Sequence, residues 1–243
     1  YLHGSSYSPI GVNELRRRVP ALTGGGRDSP LPIIGGMVHK EAAVCRHDGV
    51  ACGYARSAST RGVEIHQHTK VTGIDVSAER VVGVTTSRGK IRANQVISAV
   101  AGFTPTVLSM VGLTSPIEIF PLQACVTEPI KPWLNTIIVS GSLHLYVSQS
   151  SRGEMVMGAS LDPMELHSKR STFEFVSNLS DQMLDMFPFL SEIKVNRQWA
   201  GMADMTPDFA PLMGTTPVEG FYVDAGCGTW GFKAPPISGK SMA

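Results

Sequence analysis

Charge is scarce in this chain. Asp, Glu, Lys and Arg make up 17% of its 243 residues, and 21 basic against 20 acidic side chains leave a formal charge of +1. An average domain carries roughly 25% charge. A surface built to hold nucleic acid or another polyion is not expected. Cysteine is scarce too: Cys45, Cys52, Cys125 and Cys227 form no CxxC pair and no Cys/His ladder of zinc spacing. Neither a metal site nor a disulfide framework is expected, and scattered thiols without a secretory signal fit a reducing compartment, the cytoplasm. Long apolar runs are missing, since the richest stretch, Val96 to Leu113, is broken by Gly102, Thr104 and Pro105. No membrane-spanning helix follows from it. There is also no GxGxxG after a strand, because Gly24-Gly-Gly26 runs into Arg-Asp-Ser. The first residue is Tyr1 and the last six, Ser238 to Ala243, read as a helix just starting, so the chain reads as part of something longer.

What is present is a globular composition, 42% hydrophobic, enough core for one large domain or one and a half ordinary ones. A short helix around Glu14 to Arg18 leads into a loop that ends at Pro32-Ile-Ile-Gly-Gly36, where glycines allow a tight turn or a close approach. From Asp48 to Arg61, Val50, Ala51, Tyr54, Ala55 and Ala58 recur at helical spacing, with Asp48 as N-cap and Gly62 as stop. Val63 to Gln67 reads as a strand, followed by a meander over Lys70–Val76, Arg80–Thr86 and Lys90–Arg92. Asn94 to Gly102 suits a buried parallel strand whose carboxyl end approaches a ligand, and Thr104-Pro105 starts a helix to Met110.

The middle changes character. Ile119–Glu128, Thr136–Val139, Leu143–Gln149 and Glu154–Gly158 read as an antiparallel sheet, and Phe173, Phe175, Val176, Leu179, Met183, Leu184, Met186 and Phe187 mark one face of a helix over Thr172–Phe187. Strands at Lys194–Ala203 and Gly220–Ala225 follow, with a Thr206-Pro-Asp208 turn between them, then a glycine-rich turn from Gly226 to Phe232 before a helix. The fold class is α/β plus antiparallel β, that is α+β.

The chemistry centres on Gly226-Cys-Gly-Thr-Trp-Gly-Phe-Lys-Ala-Pro-Pro236. Its glycines permit close backbone approach to a cofactor, and amides at the following helix favour electron-rich atoms. An ordinary strand-turn-helix is the equal alternative. His47 stands beside Asp48, and by its position alone it helps Asp48 begin the helix. His66 and His68 alternate as a metal-binding pair does, but no third ligand lies near.

Together with Ala203-Asp-Met-Thr-Pro-Asp-Phe-Ala-Pro-Leu-Met-Gly214, that glycine turn resembles the C-terminal signature of the D-amino-acid-oxidase-like flavoenzymes. The likeness runs in order from about Pro32 to the end, through Arg46-His-Asp48, the Val63 to Val76 region, Val96 to Gly102 and Val126-Thr-Glu-Pro129. Within the family, Arg46-His-Asp48 and Gly53-Tyr-Ala-Arg56 resemble the β subunits of heterotetrameric sarcosine oxidase.

The resemblance implies a partial FAD-binding, Rossmann-like domain over 1–113 and 194–243, and an antiparallel substrate-binding domain over 114–193. Val71 would meet the adenine, Ala101 and Gly102 the phosphates, and Gly228, Thr229, Gly231, Phe232 and Lys233 the flavin ring. Lys233 would hold the substrate carboxylate, and Tyr146 is a candidate pocket residue. His47 would carry a covalent FMN, with Arg46 balancing phosphate or reduced-flavin charge. FAD itself would be non-covalent, because the family's attachment cysteine is replaced by Gly201; Val156 and Ser160 likewise depart from the single-subunit enzymes. Family members carry GxGxxG near the N-terminus, so this chain is expected to begin after that unit and to have little activity alone.

The implied activity is oxidation of a secondary amino acid, sarcosine by preference, with hydride transfer to FAD and electrons passing through FMN to oxygen. Its partners would be a small amino acid and other subunits of a hetero-oligomer, with neither nucleic acid nor membrane involved. A single-flavin glycine or dimethylglycine oxidase, or a proline dehydrogenase relative, is the alternative. A non-catalytic assembly subunit is a further one.

Overall fold

The computed structural model describes residues 6–23 and 32–243, so the Gly24-Gly-Gly26 loop, His3 and Pro30 lie outside the described residues. In chain order the elements are β1 (Tyr7–Gly11), α1 (Val12–Arg18), β2 (Gly35–His39), α2 (His47–Ser59), β3 (Val71–Ser77), β4 (Arg80–Thr86), β5 (Gly89–Arg92) and β6 (Val96–Ser98). They continue through a 3-10 turn (Ala101–Phe103), α3 (Thr104–Ser109), β7 (Glu118–Pro129), β8 (Ile138–Ser140), β9 (Leu145–Gln149), β10 (Glu154–Leu161) and α4 (Phe173–Met186). Last come a 3-10 turn (Pro188–Glu192), β11 (Val195–Met205), β12 (Leu212–Thr215), β13 (Phe221–Ala225), a 3-10 turn (Gly228–Lys233) and α5 (Pro235–Met242).

Two compact units result. The first takes Tyr1–Val44, Leu122–Leu161 and Lys169–Ala200; the second takes Cys45–Pro121, Asp162–Ser168 and Gly201–Ala243. The sequence reading groups residues 1–113 together, whereas the described residues up to Val44 pack with the antiparallel sheet. The reason is local: Val19 and Leu22 enter the first unit's core, and the Thr23 amide donates to Met186 O.

That first unit is built on a sheet ordered β11-β7-β10-β9-β8. Cross-strand partners share a face, so Cys125, Met157 and Val147 form one row and Ala124, Gly158 and Tyr146 the row on the opposite face. Helix α4 covers the first row, where Phe175, Leu179, Met183 and Met186 join Val147, Met155 and Met157 in one buried cluster. Thr172 caps α4 by accepting the Phe175 amide. Phe173, expected on the buried face, is instead 84% exposed, since it stands one residue past the cap and turns away from that cluster. An antiparallel pairing of β1 with β2, unforeseen because glycine and proline dilute the alternation, brings Gly35 so close to Ile10 O that a Cβ there would lie 2.9 Å away.

The second unit holds the meander β3-β4-β5 and a sheet ordered β12-β13-β6, in which β13 runs antiparallel to β12 and parallel to β6. Ile74, Val81, Leu108, Ile117, Ile119, Phe221, Val223 and Ala225 form its core. Several expectations are corrected here. Val63 to Gln67 is not a strand: no described strand pairs with it, and Val63 and Ile65 stay exposed. Helix α2 begins at His47 with Arg46 as N-cap, so Asp48 sits in the first turn, where it accepts from the Gly49 amide. Gly62 lies two residues beyond the C-cap Thr60 and donates to Ser59 O. No residue of α2 is buried, so its apolar positions form no core face. Thr104 likewise is not a cap but the first residue of α3, with Phe103 at the cap and Pro105 in the first turn.

Candidate functional site

Strands β6 and β13 lie side by side and parallel, with Phe221, Tyr222 and Val223 opposite Val96, Ile97 and Ser98. Each ends in a glycine-containing turn that leads into a helix, and the carboxyl end of a parallel sheet is where such folds place ligands. After β6 the chain kinks at Ala101, whose φ is 46°, and Gly102 is buried so tightly that a Cβ would stand 2.7 Å from Met202 Cβ. After β13, Gly226 and Gly228 take φ of 75° and 56°, the left-handed region that favours glycine. A Cβ on Gly226 would meet Thr206 Cγ2 at 2.6 Å, and one on Gly228 would meet Met205 Sδ at 3.0 Å.

The end of β11 therefore backs both turns: Met202 lies behind Gly102, and Met205 and Thr206 lie behind Gly226 and Gly228. The two stretches of sequence that carried the resemblance, 203–214 and 226–239, are in contact.

Asp204 gives this contact its polar anchor. It is only 4% exposed, and its carboxylate accepts from the Gly226 amide at 2.6 Å and the Gly228 amide at 3.2 Å. Across the turn, Ser238 of α5 donates its hydroxyl to Asp224 Oδ2. Both ends of the glycine turn are thus tied to carboxylates. The thiol of Cys227, between the tied glycines, is pushed up first by burial and then by Asp204 and Asp224. Between these ties Thr229, Trp230, Phe232 and Lys233 remain exposed, and Lys233 Nζ stands 4.6 Å above the Trp230 ring. Aromatic faces, open backbone and a cation are the groups that grip a planar, electron-rich ring system. Close to the end of β6, Ser98 Oγ and Thr104 Oγ1 are buried without a hydrogen-bond partner.

The structure thus gathers Gly102, Gly228, Thr229, Gly231, Phe232 and Lys233 at the carboxyl ends of two adjacent strands. Ala101 adjoins Gly102 in the same turn. His47 is exposed at the first position of α2. Arg46 is ion-paired with Asp48 at 2.7 Å, which raises the guanidinium and lowers the carboxyl, so its charge is already engaged. Val71 opens β3 opposite Thr86. Tyr146 belongs to the first unit, where its ring lies against Gly158 on the sheet face away from α4; burial, then Cys125, pushes its phenol up. An apolar recess of about 490 Å³ in that unit, lined by Ala21, Ile130, Lys131, Trp133, Phe189 and Ile193, carries no thiol, hydroxyl, carboxylate or imidazole. Among the described residues no group of three His, Cys, Asp or Glu could hold a metal. Nor is any described helix long and apolar enough to cross a membrane.

Sequence reasoning gave no role to Asp204. Its signal was a single carboxylate inside the otherwise uncharged strand Ala200-Gly-Met-Ala-Asp-Met205.

Comparison with known proteins agrees with this arrangement. The family model for FAD dependent oxidoreductases (DAO) matches residues 4–243. Sarcosine oxidase subunit beta of Rhodobacter capsulatus is 40% identical over 96% of this chain and 56% of its own length. The Rhizobium meliloti protein of the same name is 39% identical over 100% of this chain and 58% of its own. The chain therefore spans a little over half the length of these curated relatives. In fold it is similar to L-proline dehydrogenase from P. horikoshii, with a TM-score of 0.89 at 24% identity over 98% of this chain and 64% of that one. By family match, fold and the braced glycine turn, the chain belongs to the FAD-dependent oxidoreductases.

Proposed function

We propose that the chain belongs to a flavoenzyme subunit that oxidises a small secondary amino acid, sarcosine by preference. The observation that carries this reading is the turn from Gly226 to Lys233, braced at the carboxyl end of β13 with its aromatic and cationic side chains outward. The 40% identity to a protein named sarcosine oxidase subunit beta supports the substrate.

The residues fit an FAD. Gly228, Thr229, Gly231 and Phe232 would line the ring, the glycines letting the backbone come close and Phe232 offering an aromatic edge. Ala101 and Gly102 supply the close-packed turn for the phosphates, with the unpartnered Ser98 and Thr104 hydroxyls beside it, and Val71 offers backbone to the adenine. FAD, when bound, supplies a two-electron acceptor for the carbon next to the amine nitrogen. The chain's own part is to hold and orient the substrate. The Lys233 ammonium, steadied over Trp230, pairs with the substrate carboxylate. Tyr146 is the hydroxyl we propose for the substrate-facing side of the antiparallel unit.

His47 is the proposed attachment point of a second flavin, FMN, which would supply a second redox centre for electrons bound for oxygen. Its exposure at the start of α2 leaves the imidazole free to act as a nucleophile. Other subunits of a hetero-oligomer are the proposed partners. Four free thiols keep the cytoplasm as the proposed compartment.

Mass spectrometry of the tryptic peptide His47–Arg56 from the intact native protein tests the two-flavin reading. The peptide is expected to carry the mass of FMN. An unmodified peptide in a protein that still bleaches with sarcosine returns the assignment to a single-flavin oxidase or dehydrogenase. A colourless native complex leaves an assembly role.

A further inference from the structure

We propose that Asp204 is the positioning residue of the flavin-facing turn: from the end of β11 its two carboxylate oxygens hold the Gly226 and Gly228 amides, so that Thr229 to Lys233 is presented in one conformation. The proposal rests on the reading of that turn as flavin-facing.

The geometry makes the clamp specific to a carboxylate. Both groups it meets are N–H donors, at 2.6 and 3.2 Å, so both side-chain atoms must accept. An asparagine would set its own N–H₂ against one of them, trading an attraction for a donor–donor clash. An alanine would leave two amides unmatched in a place where Asp204 is 4% exposed and water is excluded. The bond is charge-assisted and therefore stronger than a neutral one. It also acts where the backbone needs holding: Gly226 and Gly228 both have φ above 50°, and glycine visits many other conformations when nothing fixes it. The neighbouring contacts of Thr206 on Gly226 and Met205 on Gly228 come from the same strand end, so one short segment, 204–206, sets the turn by polar and steric means together. Asp204 touches neither substrate nor ring in this scheme. Its effect on them passes through the backbone of the turn.

The test is Asp204→Asn in the intact flavoprotein, read by hydrogen exchange across residues 226–234, by flavin absorbance and by FAD dissociation. Losing one charge-assisted bond is expected to speed exchange in that segment about tenfold or more, with β7 to β10 unchanged. The flavin band should shift and FAD should release more easily. Native exchange in the segment overturns the clamp, and loosened exchange with an unaltered flavin spectrum and affinity overturns the positioning role. If the unsubstituted protein binds no flavin at all, the underlying reading has failed, whatever Asp204 does.

Should Asp204→Asn not fold, Gly228→Ala moves the same amide from the other side while leaving the carboxylate in place. The same loosening and flavin shift are expected, and native behaviour in both would equally count against the proposal.

Discussion

A lysine and an aspartate divide the work of the glycine turn. Lys233 is exposed and stacked on Trp230, so its charge is presented outward, while Asp204 is buried and its charge is spent on two amides. Replacing Lys233 with Met keeps the length of the side chain and removes its charge. Kinetics with sarcosine should show kcat/KM down by about 10- to 150-fold, the range expected for losing a bond of about 1.5–3 kcal/mol to a charged group. The flavin spectrum should persist, because the ties that hold the turn run through Asp204 and Asp224. An unchanged kcat/KM would remove Lys233 from carboxylate binding. Lys233 was legible in the sequence because it stands inside a glycine cluster that resembles a family signature. Asp204 was not, since the value of a buried carboxylate depends on which amides it faces, and those lie 22 and 24 residues further along the chain.

At the level of elements, periodic patterns were legible wherever one face of a strand or helix is buried. Helix α4, the sheet strands β7, β9 and β10 and strand β4 of the meander answer to that rule, whereas β5 is exposed at all four positions and was marked by its flanking turns. It fails in two ways. Helix α2 was found by its spacing, yet the face inferred from that spacing is exposed, because period alone says which residues align and not whether anything covers them. The stretch from Val63 to Gln67 has strand-like composition but no pairing partner, and β-propensity reports fit to a neighbour more than an intrinsic preference. The pairing of β1 with β2 depends on a close glycine approach that no alternation reveals.

The same logic makes Gly158 a sensitive point of the antiparallel sheet. An added Cβ would fall 2.4–2.7 Å from three atoms of the Tyr146 ring, directly across the strand pair. Gly158→Ala is expected to cost about 1–3 kcal/mol, as overpacking does, seen as a lower denaturant midpoint at unchanged slope. Combining it with Tyr146→Ala should recover part of that loss. Additive effects would show that the ring and the glycine do not sense each other.

For the molecule as a whole, the apolar surface is the dominant fact. In the second unit alone, Tyr54, Ile65, Ile97, Phe103, Trp230 and Ile237 are all about half exposed or more. Where such side chains adjoin in a continuous patch, they mark surface that further protein covers. Expressed by itself, the 243-residue chain should bind ANS strongly and elute from a sizing column above its 26.0 kDa. A monodisperse, ANS-silent monomer would argue against the need for covering partners.

The division into units has one more consequence, and it concerns synthesis. Each unit is assembled from three separated stretches of chain, and the boundaries at 121/122 and 200/201 fall inside strands β7 and β11. The antiparallel unit lacks its last stretch until Ala200 has been made, and the other unit waits for Gly201 onward, including both the clamp and the turn it holds. At roughly 5–20 residues per second the stretch from Cys45 to Gly201 alone takes the ribosome about 8–30 s. The nascent chain must therefore keep two unfinished cores soluble at once over that interval, and the demand for chaperone protection lasts until the clamp strand and the turn it holds have both been made.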